Sequence, residues 1–394
     1  MTDTYSSTDV LPDLRGRLET IAEGLYERLA VATADEYERD SSPVLAALKE
    51  TRATVMLVPR RFGGGGHGAV DAVLFQAALG ALAPSAAIAT TMHHYKIAAL
   101  ADVAVAGDAG AGTILEDIAR GAKLVASGGA ESTPGRDLRS LGSRAVRDGD
   151  GGDGGGDGSG DGVGYRVSGL KRPCSLSMSM DIMSLMVEVQ SAEGVPEGYA
   201  QAFLDADAEG LRVEPFWHSS VFRAAQSHSV HLDGVRLPAE RLFPLRGLDG
   251  RSFAAGCYTW FQLLIGAAYL GVAYCVALAA DPDRRAGSPA WSSAVAHLRR
   301  LEDGVVDAAR AIDGQADEGT RLNMSVRARD RVEDELPGVG GRLLRAAGGA
   351  GFAGDGLRTA LTGALNAIAF HPPQRGARDG VGLELLDPEL KDVP

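Results

Sequence analysis

The sequence predicts an α+β fold in which the strands form one central block between two helical regions. Apolar residues recur every three or four positions up to about residue 121, as in helices with one buried face. Over residues 122–243 the pattern changes to short alternating segments separated by turn residues. From residue 244 the helical spacing returns, with the unbroken apolar run FQLLIGAAYLGVAYCVALAA at residues 261–280. A doubly wound α/β protein alternates strand and helix, so this order argues against one. At 394 residues the chain is long for a single core, and the three regions read as three domains, 1–121, 122–243 and 244–394.

In the first region, LRGRLETIAEGLYERLAVATADEYERDSSPVLAALKETRA carries apolar positions on faces opposite charged ones. The stretch LVPRRFGGGGHGAVD interrupts it with Pro59 and a glycine run. Two helices rich in small residues follow, separated near Pro84. In the central region SRAVRDGD, GYRVSGLKR, DIMSLMVEVQ, AQAFLDAD, LRVEPF and SHSVHLDGVRLP read as strands. The Gly/Asp tract at residues 148–162 has almost nothing to bury and reads as a disordered hairpin extension. It lacks the closing glutamate and spaced ligands of an EF-hand loop. In the third region the apolar run is long enough to cross a bilayer. It contains Gln262 and two tyrosines and lacks flanking basic anchors, so it reads as a buried bundle helix and no membrane association is expected.

Composition narrows the function. A net charge of -13 with no basic tract argues against nucleic-acid binding. Cys174, Cys257 and Cys275 are odd in number and widely spaced, which suggests neither a disulfide framework nor a zinc site and points to a reducing, cytoplasmic setting. The polar N-terminus shows no secretory signal. GGGGHG (63–68) lacks the Lys-Ser/Thr of a phosphate loop and reads as a turn. His93 and His94 are adjacent, so on a helix they point about 100° apart and do not suit one metal ion. No metal site is expected.

The order LVPRRFGGGGHGAVD, GYRVSGLK, EGLRVEPFWHSSVFRAAQSHSVHLDGVRLPAERLF and RAAGGAGF resembles the acyl-CoA dehydrogenase superfamily over residues 15–376. The resemblance implies an N-terminal helical domain, a central β-barrel-like domain and a C-terminal four-helix bundle. It also implies a flavin between the last two, in a homodimer or homotetramer. Where dehydrogenases of the superfamily carry a catalytic glutamate, this chain has Phe370-His371; at the alternative base position it has Phe261-Gln262. Neutral imidazole is a poor base for the weakly acidic α-proton of a thioester. The Arg-x-x-Phe-Gly element that grips the ADP part of the flavin is replaced by DRRAGSPAW.

MHHYKIA, KRPCS and AFHPP are instead similar to the corresponding places in the flavin-dependent monooxygenase branch, exemplified by dibenzothiophene monooxygenase. That likeness implies catalytic roles for His93 or His94, Ser175 and His371, and flavin contacts from Ser127, Cys174, Ser175, Gly348 and Gly349. Histidine and serine can hydrogen-bond a flavin-bound peroxide, where a carboxylate would repel it. The expected cofactor is a flavin, FAD or FMN, supplied reduced by a separate reductase because no NAD(P)-binding βαβ unit is readable. The expected reaction is hydroxylation of a small organic substrate. The alternative is an acyl-CoA or carrier-bound acyl dehydrogenase with a displaced base, for which Glu131 is a candidate.

Overall fold

The computed structural model describes residues 11–40, 42–129, 142–148, 164–245, 247–278, 288–376 and 378. The Gly/Asp tract beyond Asp148, Glu131 and the DRRAG part of DRRAGSPAW lie outside these residues.

Four short helices come first: α1 (Leu14–Glu19), α2 (Leu25–Leu29), α3 (Ala34–Tyr37) and α4 (Val44–Glu50). Thr33 and Glu36 close a capping box at the start of α3, each satisfying an orphan backbone N–H of the other. Three longer helices follow: α5 (Ala69–Leu82), α6 (Pro84–Ala106) and α7 (Ala109–Gly121). The break at Pro84 falls where the sequence places it, because proline fits the first helical position, whose N–H has no partner in the helix. Ala83 cannot cap α6 with its side chain. The buried carboxylate of Glu38 does so instead, accepting from the Ser85 N–H at 2.6 Å and the Ser85 hydroxyl at 2.7 Å.

The strands are β1 (Val125–Gly128), β2 (Arg144–Arg147), β3 (Gly164–Cys174), β4 (Ile182–Gln190), β5 (Pro196–Asp205), β6 (Leu211–Glu214), β7 (His228–Pro238) and β8 (Leu242–Pro244). They form one sheet in the order β6-β7-β3-β2-β4-β5-β8, with β1 also pairing to β4. β1 and β2 both run parallel to β4 and share its length, while the other pairings are antiparallel. The links around the ends of β3 and β7 are tightly folded: Leu176, Phe222 and Gln226 have φ of 65°, 57° and 55°. These left-handed non-glycine positions are held by bonds from the Leu176 N–H to Ala225 O and the Ser177 N–H to Gln226 O, at 2.9 and 3.3 Å.

The C-terminal helices are α8 (Gly247–Leu278), α9 (Pro289–Asp313), α10 (Glu318–Gly354) and α11 (Gly356–Ala364), followed by a 3₁₀ turn at Leu365–Phe370. α8 is apolar on all sides because it packs against α5 and α6 on one flank and α9 and α10 on another. Its stretch Gly250–Leu278 is long and apolar enough to cross a membrane and is buried within the protein. Gly348, with φ 72° and ψ 178°, interrupts α10 near its end. A continuous apolar core joins residues of all three regions.

Candidate active site

Three consecutive side chains of α6 leave the helix in three directions. His93 has both ring nitrogens engaged by backbone: Nδ1 accepts from the Val125 N–H at 2.9 Å, and Nε2 lies 2.6 Å from Thr54 O. An accepting Nδ1 puts the proton on Nε2, which donates to that carbonyl. Burial pushes the His93 pKa down to about 4. His93 thus ties α6 to β1 and has no nitrogen left for a ligand.

His94 turns toward α5, where its ring meets Phe75 edge-on at 6.0 Å. Its Nδ1 is buried with no partner among the described residues, and burial together with the neighbouring His93 holds its pKa well below the usual histidine value. Tyr95 takes the third direction. Its hydroxyl hydrogen-bonds the Ser127 hydroxyl on β1, and its ring meets Phe261 of α8 edge-on at 5.3 Å.

Phe261 leads to His371, whose ring centroid is 6.2 Å away, and Tyr269 stands 5.6 Å from the same imidazole. The Tyr269 hydroxyl lies 3.1 Å from His371 Nε2. Tyr269 in turn meets Phe222 edge-on at 5.9 Å, and the Phe222 N–H donates to Glu38 at 3.2 Å. The buried guanidinium of Arg329 donates to His371 O at 2.7 Å and to Gln262 Oε1 at 2.5 Å. Burial, then the Arg329 charge, pushes the His371 pKa down to about 3, so its ring is neutral at physiological pH. Burial raises the Tyr269 pKa, which keeps the phenol protonated.

On the sheet side, the tight links bring Ser175 Oγ to 2.9 Å from Ser227 Oγ. Cys174 does not join them. Its thiol is fully buried, lies 3.8 Å from Ser175 O, and is pushed up to about 12 by burial, so it contributes no side chain to the site. Gly348 and Gly349 are also elsewhere, since nineteen helical positions beyond Arg329 amount to about 28 Å along α10. Of the residues singled out from sequence, the structure gathers His371 with α8 and α10, and Ser127 with Tyr95. It puts His93 to structural use.

Tyr95, Tyr269 and Arg329 were missed by sequence reasoning. Arg329 did leave a signal, because it occupies a core-facing position of α10 in the series Leu322, Val326, Arg329, Val332, Leu336. The residues fit a flavin. Hydroxyls of Ser127, Ser175 and Ser227 and the edges of three aromatic rings offer polar and flat apolar contacts. Gln226 Oε1 is a buried acceptor without a partner among the described residues. Among the described residues, no carboxylate is among the charges acting on His371, Tyr269 or Tyr95.

No family model matches the chain. It is 32% identical over 372 residues to an isobutylamine N-hydroxylase of Streptomyces viridifaciens, covering 92% of this chain and 93% of that protein. Its fold is similar to that of KijD3 in complex with FMN and an amino keto-sugar nucleotide, with a TM-score of 0.74 and 20% identity over 95% of this chain and 94% of that one. FMN-bound TdsC from Paenibacillus sp. A11-2, a dibenzothiophene monooxygenase, gives 0.72 with 17% identity over 97% of both chains. Fold and relatives together define a flavin-dependent oxidoreductase. The chain belongs to the flavin-dependent monooxygenase branch of the acyl-CoA dehydrogenase superfamily, in the family of isobutylamine N-hydroxylase.

Proposed function

We propose that this enzyme hydroxylates the nitrogen of a small aliphatic primary amine. The observation that carries the reading is the full-length similarity to an amine N-hydroxylase, joined to a neutral imidazole on which, among the described residues, the charge acting is that of Arg329. An amine is nucleophilic only as the free base, and a positive charge beside the ring does not favour the ammonium form. With reduced flavin bound, O2 supplies one oxygen atom to the nitrogen and the other leaves as water, two electrons coming from the flavin. Ser127 and Ser175 hold the cofactor edge, and the Tyr95 hydroxyl orients Ser127. Phe261, Tyr269 and Phe222 exclude water from the reacting atoms. His371 stays neutral and, through the hydrogen bond between its Nε2 and the Tyr269 hydroxyl, orients that hydroxyl toward the reacting atoms.

The same reading includes a separate reductase, a homodimer or homotetramer, and a cytoplasmic setting in keeping with three free cysteines. It also takes the sheet as barrel-like, the last four helices as a bundle, and the domain boundaries as near residues 121 and 243. The test supplies chemically reduced FMN, O2 and isobutylamine. The expected product is the N-hydroxylamine, identified by mass spectrometry with one atom from labelled O2. Flavin bleaching by an acyl-CoA under anaerobic conditions, without amine oxidation, would establish the dehydrogenase alternative instead.

A further inference from the structure

His371 ends a 3₁₀ turn whose Leu365 and Ile368 are buried in the core, while Phe370 beside it is 73% exposed. The last carbonyls of any helix lack intrahelical partners. Here two carbonyls at the end of the turn are gripped by one buried cation: Arg329 Nη2 donates to Ile368 O at 3.1 Å, which also accepts from the His371 N–H at 3.3 Å, and to His371 O at 2.7 Å. Its other terminal nitrogen is fixed by Gln262 of α8, and its guanidinium carbon stands 5.7 Å from the Phe261 ring centroid. The nearest carboxylate, Glu333, is 3.9 Å from Nε and pairs more closely with Arg378, which also binds Asp330. The Arg329 fork is therefore spent on the turn and on α8, and the Glu333 counter-charge beside it is shared with Arg378.

We infer that Arg329 is a positioning residue: by gripping both carbonyls from the rigid α10, it sets the His371 ring against Tyr269. This rests on the proposed role of His371, although the clamp itself is independent of the substrate. The groups facing the imidazole are Tyr269 and Phe261 from α8 and Arg329 from α10, with Gln262 beside them and the Arg378–Asp330–Glu333 group behind. Among the described residues, the charge acting on the ring is thus the positive one of Arg329. A fixed cation behind a ring already short of water opposes its protonation, so the ring keeps both a lone pair and an N–H. Lysine could preserve that charge, but its single ammonium nitrogen could not hold the two carbonyls and Gln262 Oε1 from the two fixed positions that the planar guanidinium provides.

The two contributions separate in Arg329→Gln and Arg329→Lys. Imidazole NMR of the flavin-free chain should show a single unprotonated His371 tautomer in the parent down to about pH 5. In Arg329→Gln, His371 should titrate at a higher pH than in the parent and lose its fixed tautomer. In Arg329→Lys it should stay unprotonated but show tautomer exchange. With isobutylamine and reduced FMN, both variants should make about tenfold less hydroxylamine per flavin consumed, with more hydrogen peroxide. The loss should appear in kcat and not in KM. If Arg329→Gln does not fold, Arg329→Lys decides alone. Parent-like His371 signals and parent-like product yield in Arg329→Lys would overturn the inference. A parent enzyme inactive on amines would sink the functional reading, and the NMR comparison would still test the clamp.

Discussion

His93, His94 and Tyr95 show how far a residue's chemistry is decided by its direction. Each is turned about 100° from the next, so one faces β1, one faces α5, and one reaches the site. The two histidines attract attention in the sequence because imidazole can do acid–base work. Yet His93 is consumed by a backbone carbonyl and a backbone N–H, and backbone groups leave no trace in a sequence. The place of His371 at a helix end was legible because two prolines follow it. The link between Tyr95 and Ser127 yields a direct test. If the phenol acts by orienting the serine hydroxyl, Tyr95→Phe and Ser127→Ala should each lower product formation on the order of 10²-fold. The double variant should be hardly worse than either, because the two hydroxyls act as a unit. Additive losses would mean that they work separately.

At the scale of elements, α8 was the easiest to read. A helix apolar on every face must be surrounded, and α5, α6, α9 and α10 surround it. Sheet order was not legible, since β1 and β2 sharing one side of β4 depends on partners distant in sequence. Nor was the route by which α8 approaches α5, which depends on two glycines. A Cβ on Gly271 would stand 2.5 Å from Ala77 O, and one on Gly80 would stand 2.8 Å from Ala268 O. The two helices cross there backbone against backbone. Gly271→Ala must push them apart, and overpacking of this kind costs about 1–3 kcal/mol. Gly304 on α9 is the control, since a Cβ there meets nothing within 4 Å. Gly304→Ala should stabilise by about 0.5–1 kcal/mol through helix propensity. Urea unfolding of both variants measures the contrast, and equal shifts would refute the close crossing.

Over the whole molecule, His93, His94 and His371 are held neutral by their surroundings, and this makes stability depend on pH. The unfolded chain binds a proton at each as pH falls through about 6.5. The folded chain does not bind one at His93 until about 4, nor at His371 until about 3. Folded midpoints below the unfolded value mean that stability is complete above about pH 7.5 and falls as the medium is acidified from there. By pH 5 His93 alone accounts for about 2 kcal/mol, a large share of the ~5–15 kcal/mol that holds a typical domain together. Glu38 and Asp102 act in the opposite sense, because burial raises their pKa values and the folded state then gains protons as pH falls. Two carboxyls do not offset three imidazoles over the range in which the histidines titrate. The free energy of unfolding should therefore drop by several kcal/mol between about pH 8 and about pH 5. His93→Gln should be less stable than the parent at the higher pH, having lost a fitted ring. Its loss on acidification should be about 2 kcal/mol smaller, since glutamine does not titrate. Parallel curves for parent and variant would show that His93 protonates as readily in the folded chain as in the unfolded one, and that the backbone lock on its ring is not there.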